Sequence, residues 1–239
     1  IEASDRAIIN WQDFSIAPGE LTQFIQPHAS ASVLNRVVGH ERSLIQGMLK
    51  SNGQVYLINP FGIVVGREGV INAGAFFSST HDMTDQNFID GGCLTFRGDS
   101  KEAIVNQGTI EVDGRDIAFI AARVHNEGEL VAENGVVSSG VGMEVYFQPD
   151  SDQRIYVKKG VELPESEGKM GEGYSNEGVI RAIQSQIAVD GNLYQLAMNL
   201  EGDMEVIGSD QLDGMIFCSA GDGRMEIHGD LKGDEAHFF

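Results

Sequence analysis

The sequence predicts an all-β chain wound as a solenoid, and three observations carry that prediction. A short motif recurs: "VNQGTIEV" (105–112), "VHNEGELVA" (124–132) and "YSNEGVIRA" (174–182) share Asn, any residue, Gly, any residue, then Ile or Leu. The first two copies stand 20 residues apart. A period of that length, with a strand starting in each copy, is the signature of stacked coils. The composition gives 30 Gly but only 5 Pro in 239 residues, which suits many tight corners between short strands. The segments "TIEV", "IAFIAA", "ELVAE" and "MEVYF" are short, with apolar residues alternating or continuous, as in strands rather than long helices.

The elements follow in chain order. "AIINWQDFSI" and "ELTQFIQP" alternate and read as strands, with Trp11, Phe14, Phe24 and Ile25 placed to cover the open end of the solenoid. A solenoid needs such a cap because a bare end exposes core and unpaired strand edges. "SLIQGMLK" (43–50) is open between one helical turn and an irregular connection. "GQVYLINPFGIVVGREGVINAGAFFSST" (53–80) has two apolar runs about a corner, Asn59-Pro60-Phe61-Gly62, with the chemistry of a type I turn. Asn suits its first position, Pro presets φ at the second and Gly suits the fourth.

In the repeat, Asn106, Asn126 and Asn176 hold the first position and Gly108, Gly128 and Gly178 the third. Gly permits a positive φ at a corner, and Asn tolerates one while bonding local backbone. The apolar residue that follows points inward, and the Asn side chains are placed to stack as a ladder. "GVINAGAF", with Asn72 and Gly74, is a looser relative. The spacing breaks at 145–173, where strand-like ends flank a polar centre; this predicts a hairpin leaving the solenoid and an acidic loop at 164–173. "IAV", "LYQLAMNL", "MEVIG", "MIFCSA" and "MEIHG" then read as further coils. The expected organisation is one domain over 1–239. The cap and first coils lie in 1–50, regular coils in 51–144, hairpin and loop in 145–173, and further coils in 174–239.

A net charge of −20 disfavours nucleic acid and anionic membrane surfaces, and no apolar run reaches the length of a membrane span. No signal peptide opens the chain, so it is either cytoplasmic or already processed. Cys93 and Cys218 are far apart and form no metal or redox motif; both are expected as free thiols, with Cys218 buried. His28, His40, His81, His125, His228 and His237 lack metal-ligand spacing, so no metal or cofactor is expected.

The ordered stretches "AIINWQDFSI", "QPHASASVLNRVVG", "SNGQVYLINPFGIVVG" and "INAGAFFSST", followed by "IVNQGTIEV" and "VHNEGEL", resemble the two-partner secretion (TPS) domain. This is the N-terminal domain of filamentous-haemagglutinin-like exoproteins and adhesins. The resemblance runs from residue 5 to at least 132. It implies a right-handed parallel β-helix with an N-terminal cap and an extra-helical hairpin. It implies a mature or trimmed secretion domain of a longer exoprotein, exported through the periplasm to the surface or medium of a Gram-negative-type bacterium. The implied partners are the POTRA modules of a cognate outer-membrane transporter and the downstream passenger, with the domain itself a monomer seeding passenger folding. The family's corner is Asn-Pro-Asn-Gly-Ile; here Asn59, Pro60, Gly62 and Ile63 match it, while Phe61 stands in place of the central Asn. Asn35, Asn59, Pro60 and Asn72 are the residues expected to hold the corners and caps of the first coils.

Three other readings are weaker on the residues. An enzyme needs converging carboxylates, and the acidic stretches "GSDQLDG" and "SAGDGRMEIHGD" read as solvated corners. Arg97-Gly98-Asp99 would matter as an integrin-type tripeptide only on an exposed loop. The main alternative is a β-helical adhesin or carbohydrate-active module binding host or cell-surface glycans, although no aromatic cluster in the sequence specifies a sugar platform.

Overall fold

Each coil turns three corners, so three parallel sheet faces run along one axis. The computed structural model describes residues 1–149, 151–160, 173–191, 196–207 and 214–239. The first face starts with Ala7–Trp11, Ser32–Val37, Gln54–Ile58, Ala75–Ser79 and Ile117–Ala121, each in parallel register with the next. The second carries Leu21–Phe24, Met48–Ser51, Val70–Ala73 and Thr109–Val112. The third stacks Ser43–Ile45, Ile63–Val65, Ala103–Asn106, Arg123–Asn126, Tyr174–Asn176, Leu196–Leu200 and Arg224–Ile227. Glu129–Val141 and Val179–Gly191 run unbroken from the second face onto the first, with a register shift between Ala132 and Val136 where they bend.

Alternation decides what each strand buries. In Gln54–Ile58, Val55 and Leu57 point into the coil interior, while Tyr56 and Ile58 point outward into a second core. That second core exists because an extra layer covers the first face. The strands Leu94–Arg97, Glu144–Phe147 and Ile155–Lys159 form an antiparallel sheet outside the solenoid. Their apolar faces and the helix Asp85–Asp90 supply Phe88, Leu94, Phe96, Val145, Phe147 and Ile155. Tyr56 packs on Phe77 at 4.5 Å and edge-on to Phe88 at 5.2 Å, and Phe77 meets Phe147 at 5.3 Å. A largely buried ion pair, Arg154 Nε to Asp116 Oδ2 at 3.0 Å, ties the hairpin to the coil beneath.

The structure corrects several expectations. "SLIQGMLK" is neither helical nor irregular but two strands, Ser43–Ile45 and Met48–Ser51, because each meets a parallel neighbour. The helix Asp85–Asp90 is unforeseen; its sequence signal is Thr84, whose side chain accepts from the Asn87 N–H. The predicted hairpin is present but gains a third strand, Leu94–Arg97, from far upstream. Phe14 and Phe24 fill the interior of the first coil with Trp11 against them, whereas Ile25 is 52% exposed. Most of the predicted acidic loop at 164–173 lies outside the described residues.

Candidate functional site

Most of the residues singled out by sequence fall at two different corners of the coil, with Asn35 and Asn72 on strands between them. The corner 59–62 joins the first face to the third. The Asn-x-Gly corners join the third face to the second.

At the first of these, Asn59 is fully buried and every polar atom it has is engaged. Its N–H donates to the Ser79 carbonyl at 2.9 Å, in the following coil. Its Nδ2 donates to the Glu41 carbonyl and to Ser43 Oγ, both at 3.0 Å, in the preceding one. Its Oδ1 accepts from the Phe61 N–H at 2.9 Å, and its carbonyl accepts from the Gly62 N–H at 3.1 Å, closing the turn. The Pro60 carbonyl accepts from Ser100 Oγ at 2.6 Å. Gly62 sits at φ +100°, a region costly for any side chain, and Ile63 beyond it is fully buried. One corner thus stitches three coils together. Sequence reasoning missed Ser43 and Ser100, since nothing local marks them as its partners. Phe61 is 39% exposed and meets the His40 ring edge-on at 5.3 Å.

Asn35 and Asn72 do not join this corner. Asn35 lies inside the solenoid, accepting from Trp11 Nε1 at 3.0 Å and donating to the Tyr56 carbonyl at 3.2 Å. It links the cap to the second and third coils. Asn72 is exposed on the second face, paired with Lys50 and Glu111. The register therefore separates Asn72 and Gly74 from the repeat; the position equivalent to Asn106 in the preceding coil is Val65.

At the repeated corners, Asn106, Asn126 and Asn176 are buried in one column. Asn106 Nδ2 donates to Asn126 Oδ1 at 2.8 Å, and Asn126 Nδ2 to Asn176 Oδ1 at 2.7 Å. Each Asn carbonyl also takes two N–H groups from the next coil, as Asn106 does from Glu127 at 2.7 Å and Gly128 at 3.0 Å. The expected positive φ is absent: Gly108, Gly128 and Gly178 all lie outside that region. Their requirement is space. A Cβ on Gly128 would overlap the Gly108 carbonyl oxygen, and one on Gly178 would overlap that of Gly128. Gly69, Gly202 and Gly229 extend the same column.

Arg97 belongs to a strand and pairs with Glu144 at 2.8 Å, and the Gly98 N–H donates to the Met143 carbonyl, so the tripeptide is not a free loop. Glu144 is held at about 2 by hydrogen bonds from Arg97, Lys158 and Tyr146. Cys93 is exposed and Cys218 buried, its thiol pushed up to about 12 by burial. Among the described residues, no group of His, Cys, Asp and Glu is placed to hold a metal, and no helix is long and apolar enough to cross a membrane.

Comparison with known proteins then decides the family. The TPS secretion domain matches residues 2–232. The chain belongs to the TPS secretion domain family. The solved secretion domain of HMW1 from Haemophilus influenzae superposes with a TM-score of 0.83 at 29% identity, covering 98% of this chain and 61% of that one. The filamentous haemagglutinin secretion domain shares the fold, with a TM-score of 0.55 at 13% identity over 95% of this chain and 85% of that one. A heme/hemopexin-binding protein of H. influenzae strain Rd is 29% identical over 97% of this chain. A second H. influenzae protein of that description is 39% identical over 34% of it. The chain spans only 26% and 9% of those two proteins' lengths. The fold is the family's right-handed parallel β-helix with its N-terminal cap and extra-helical hairpin. As a TPS domain the chain is the secretion domain of an exoprotein, in a family secreted with a cognate outer-membrane transporter as partner.

Proposed function

We propose that the first coils of this TPS domain form the export signal and folding nucleus of the exoprotein, recognised by the POTRA modules of the transporter. The supporting observation is the corner at Asn59. Residues from Glu41 to Ser100 meet there through one buried side chain and one proline carbonyl. A solenoid extends by adding coils to an existing end, so a corner that fastens the third coil to both neighbours favours the earliest steps of growth. The chain acts as a monomeric single domain, crosses the periplasm incompletely folded and seeds its passenger at the cell surface. Asn35, Asn59, Pro60, Gly62 and Ile63 hold the first coils, and Asn72 contributes from the exposed second face. No catalytic step is proposed.

The test replaces Asn59 and Pro60 together, in a fusion to a passenger expressed with its transporter. Passenger is measured in medium and periplasm. Export is expected to fall with synthesis unchanged; undiminished export would refute the role of this corner.

A further inference from the structure

We propose that the outward face of the extra-helical sheet, with the groove beside it, binds an uncharged oligosaccharide. This goes beyond the export reading and does not depend on it. No aromatic cluster is visible in the sequence because Tyr146 and Tyr156 lie on separate strands. The antiparallel register sets them directly opposite each other, on the face turned away from the solenoid. Their rings are near-parallel, 25° apart with centroids 6.2 Å distant. Tyr156 is 56% exposed. Its strand, Ile155–Lys159, is the outer strand of that three-stranded sheet among the described residues. A pyranose presents an apolar C–H face that stacks on such a ring, with hydroxyls around its equator for polar groups.

The polar groups are already fixed. Glu144 Oε1 accepts from Arg97 at 2.8 Å, Tyr146 OH at 2.9 Å and Lys158 Nζ at 3.0 Å, and Lys158 Nζ also lies 3.0 Å from Tyr146 OH. This network holds the Tyr146 ring and the two cations in one geometry without a ligand, which lowers the ordering cost of binding. On the far side, Arg97 also lines a groove of about 620 Å³ with Arg36, Asp82, Thr84, Asp85 and Thr95. Asp82 and Asp85 each direct one oxygen to Arg36, at 2.9 and 2.7 Å, yet remain 50% and 61% exposed. Carboxylates, hydroxyls and guanidinium groups are the donors and acceptors that pairs of sugar hydroxyls need.

Charge selects the ligand class. Arg36, Arg97 and Lys158 balance Asp82, Asp85 and Glu144, so the surface is locally neutral. The chain around it carries −20, which repels sialylated or sulfated glycans. The ionic rim disfavours an apolar ligand.

The test is a glycan array and calorimetry on this chain with chitotriose, lactose and maltotriose as neutral probes and 3′-sialyllactose as the charged one. At least one neutral probe is expected to bind. Tyr156→Ala is expected to weaken it about tenfold, and Tyr156→Phe to retain it, because the stacking ring survives. Unchanged far-UV spectra and thermal midpoints would certify both variants as folded. No binding to any neutral probe, equal binding by Tyr156→Ala, or binding confined to the sialylated probe would each overturn the proposal. Normal passenger export by Tyr156→Ala would keep the two functions separate. Lost export without sugar binding would instead mark this face as a protein contact and overturn the glycan site.

Discussion

The two kinds of corner use the same residue types for different physical reasons. At 59–62 the glycine is a matter of dihedral angle: Gly62 sits at φ +100°, and the nearest atom to an added Cβ, the Ala103 carbonyl oxygen, is 3.3 Å away. At the repeated corners no positive φ occurs, yet a Cβ on Gly108, Gly128 or Gly178 would run into the backbone of the coil before it. The asparagines differ in parallel. Asn59 bonds outward to the coils on either side, whereas Asn106, Asn126 and Asn176 bond mainly to one another. The N-terminal corner is therefore a unique joint, and the repeated corner a stacking rule that holds only while coils lie in register.

The largest effect should come from violating the stacking rule. Gly128→Val forces two branches and a Cβ against the Gly108 carbonyl and should cost about 3 kcal/mol or more, as overpacking against backbone does. Gly128→Ala should already cost most of that, because the Cβ alone makes the clash. Gly62→Ala should cost only about 1 to 2 kcal/mol, the price of a side chain in the left-handed region. Glu127→Ala, at an exposed neighbouring position, is the baseline. Urea unfolding midpoints of the four variants decide the matter; equal costs at 62 and 128 would erase the distinction.

Next comes the ladder. Asn126→Ala strands the Asn106 amide and the Asn176 oxygen in the interior and should cost about 2 kcal/mol. Asn126→Leu should be milder, since the same column is apolar at Val65 and at Leu200 and a leucine fills the space. Thermal midpoints that rank leucine below alanine would refute this.

A smaller, pH-dependent effect follows from one buried histidine, His81, and one half-buried, His125. Burial lowers the pKa of His81 against weaker upward pulls from the Gly142 backbone and Asp99. His125 is lowered by burial and by Arg123, against Glu127 and Glu177. Below the ordinary value of 6.5 the unfolded chain binds protons that the folded chain resists. Their contribution is thus fully present above pH 6.5 and is lost as pH falls through the lowered folded values. Unfolding midpoints should decline from pH 7 toward pH 5, and His81→Gln should flatten part of the slope. A parallel decline in that variant would clear His81.

These comparisons also show what a sequence can carry. The Asn-x-Gly motif announced coils because its strand partners recur at matching positions, as in the 20-residue step from Asn106 to Asn126. The same motif carried the column across the 50-residue step to Asn176, where only the even spacing is lost because the hairpin is inserted between equivalent strands. The reason for the glycines was illegible, since their clashing atoms belong to another coil and exist only in register. Asn72 misled for the opposite reason: it carries the local pattern but sits on a different face. The helix Asp85–Asp90 and the strand Leu94–Arg97 owe their places to an outward apolar column, Leu34, Tyr56 and Phe77, that alternation alone does not separate from the interior.

The smallest effect on stability, and the sharpest on the export reading, belongs to Phe61. Its backbone needs no positive φ, because only Gly62 in the turn takes one. Its N–H bond to Asn59 Oδ1 is independent of its side chain. Phe61→Asn, which restores the residue usual in the family, should therefore change stability by less than about 0.5 kcal/mol, losing only a half-exposed contact with His40. If POTRA modules read the tip of this corner, the ring is a natural anchor, since aromatic side chains dominate binding energy at protein interfaces. Export with the cognate transporter should then fall about threefold in Phe61→Asn, while His40→Ala, which leaves the ring in place, should change it less. Secretion of a fused passenger, normalised to synthesis, measures both. Equal export by Phe61→Asn and the unaltered chain would show that the corner serves by its buried bonds alone, with Asn59 as its working residue and the exposed tip unread.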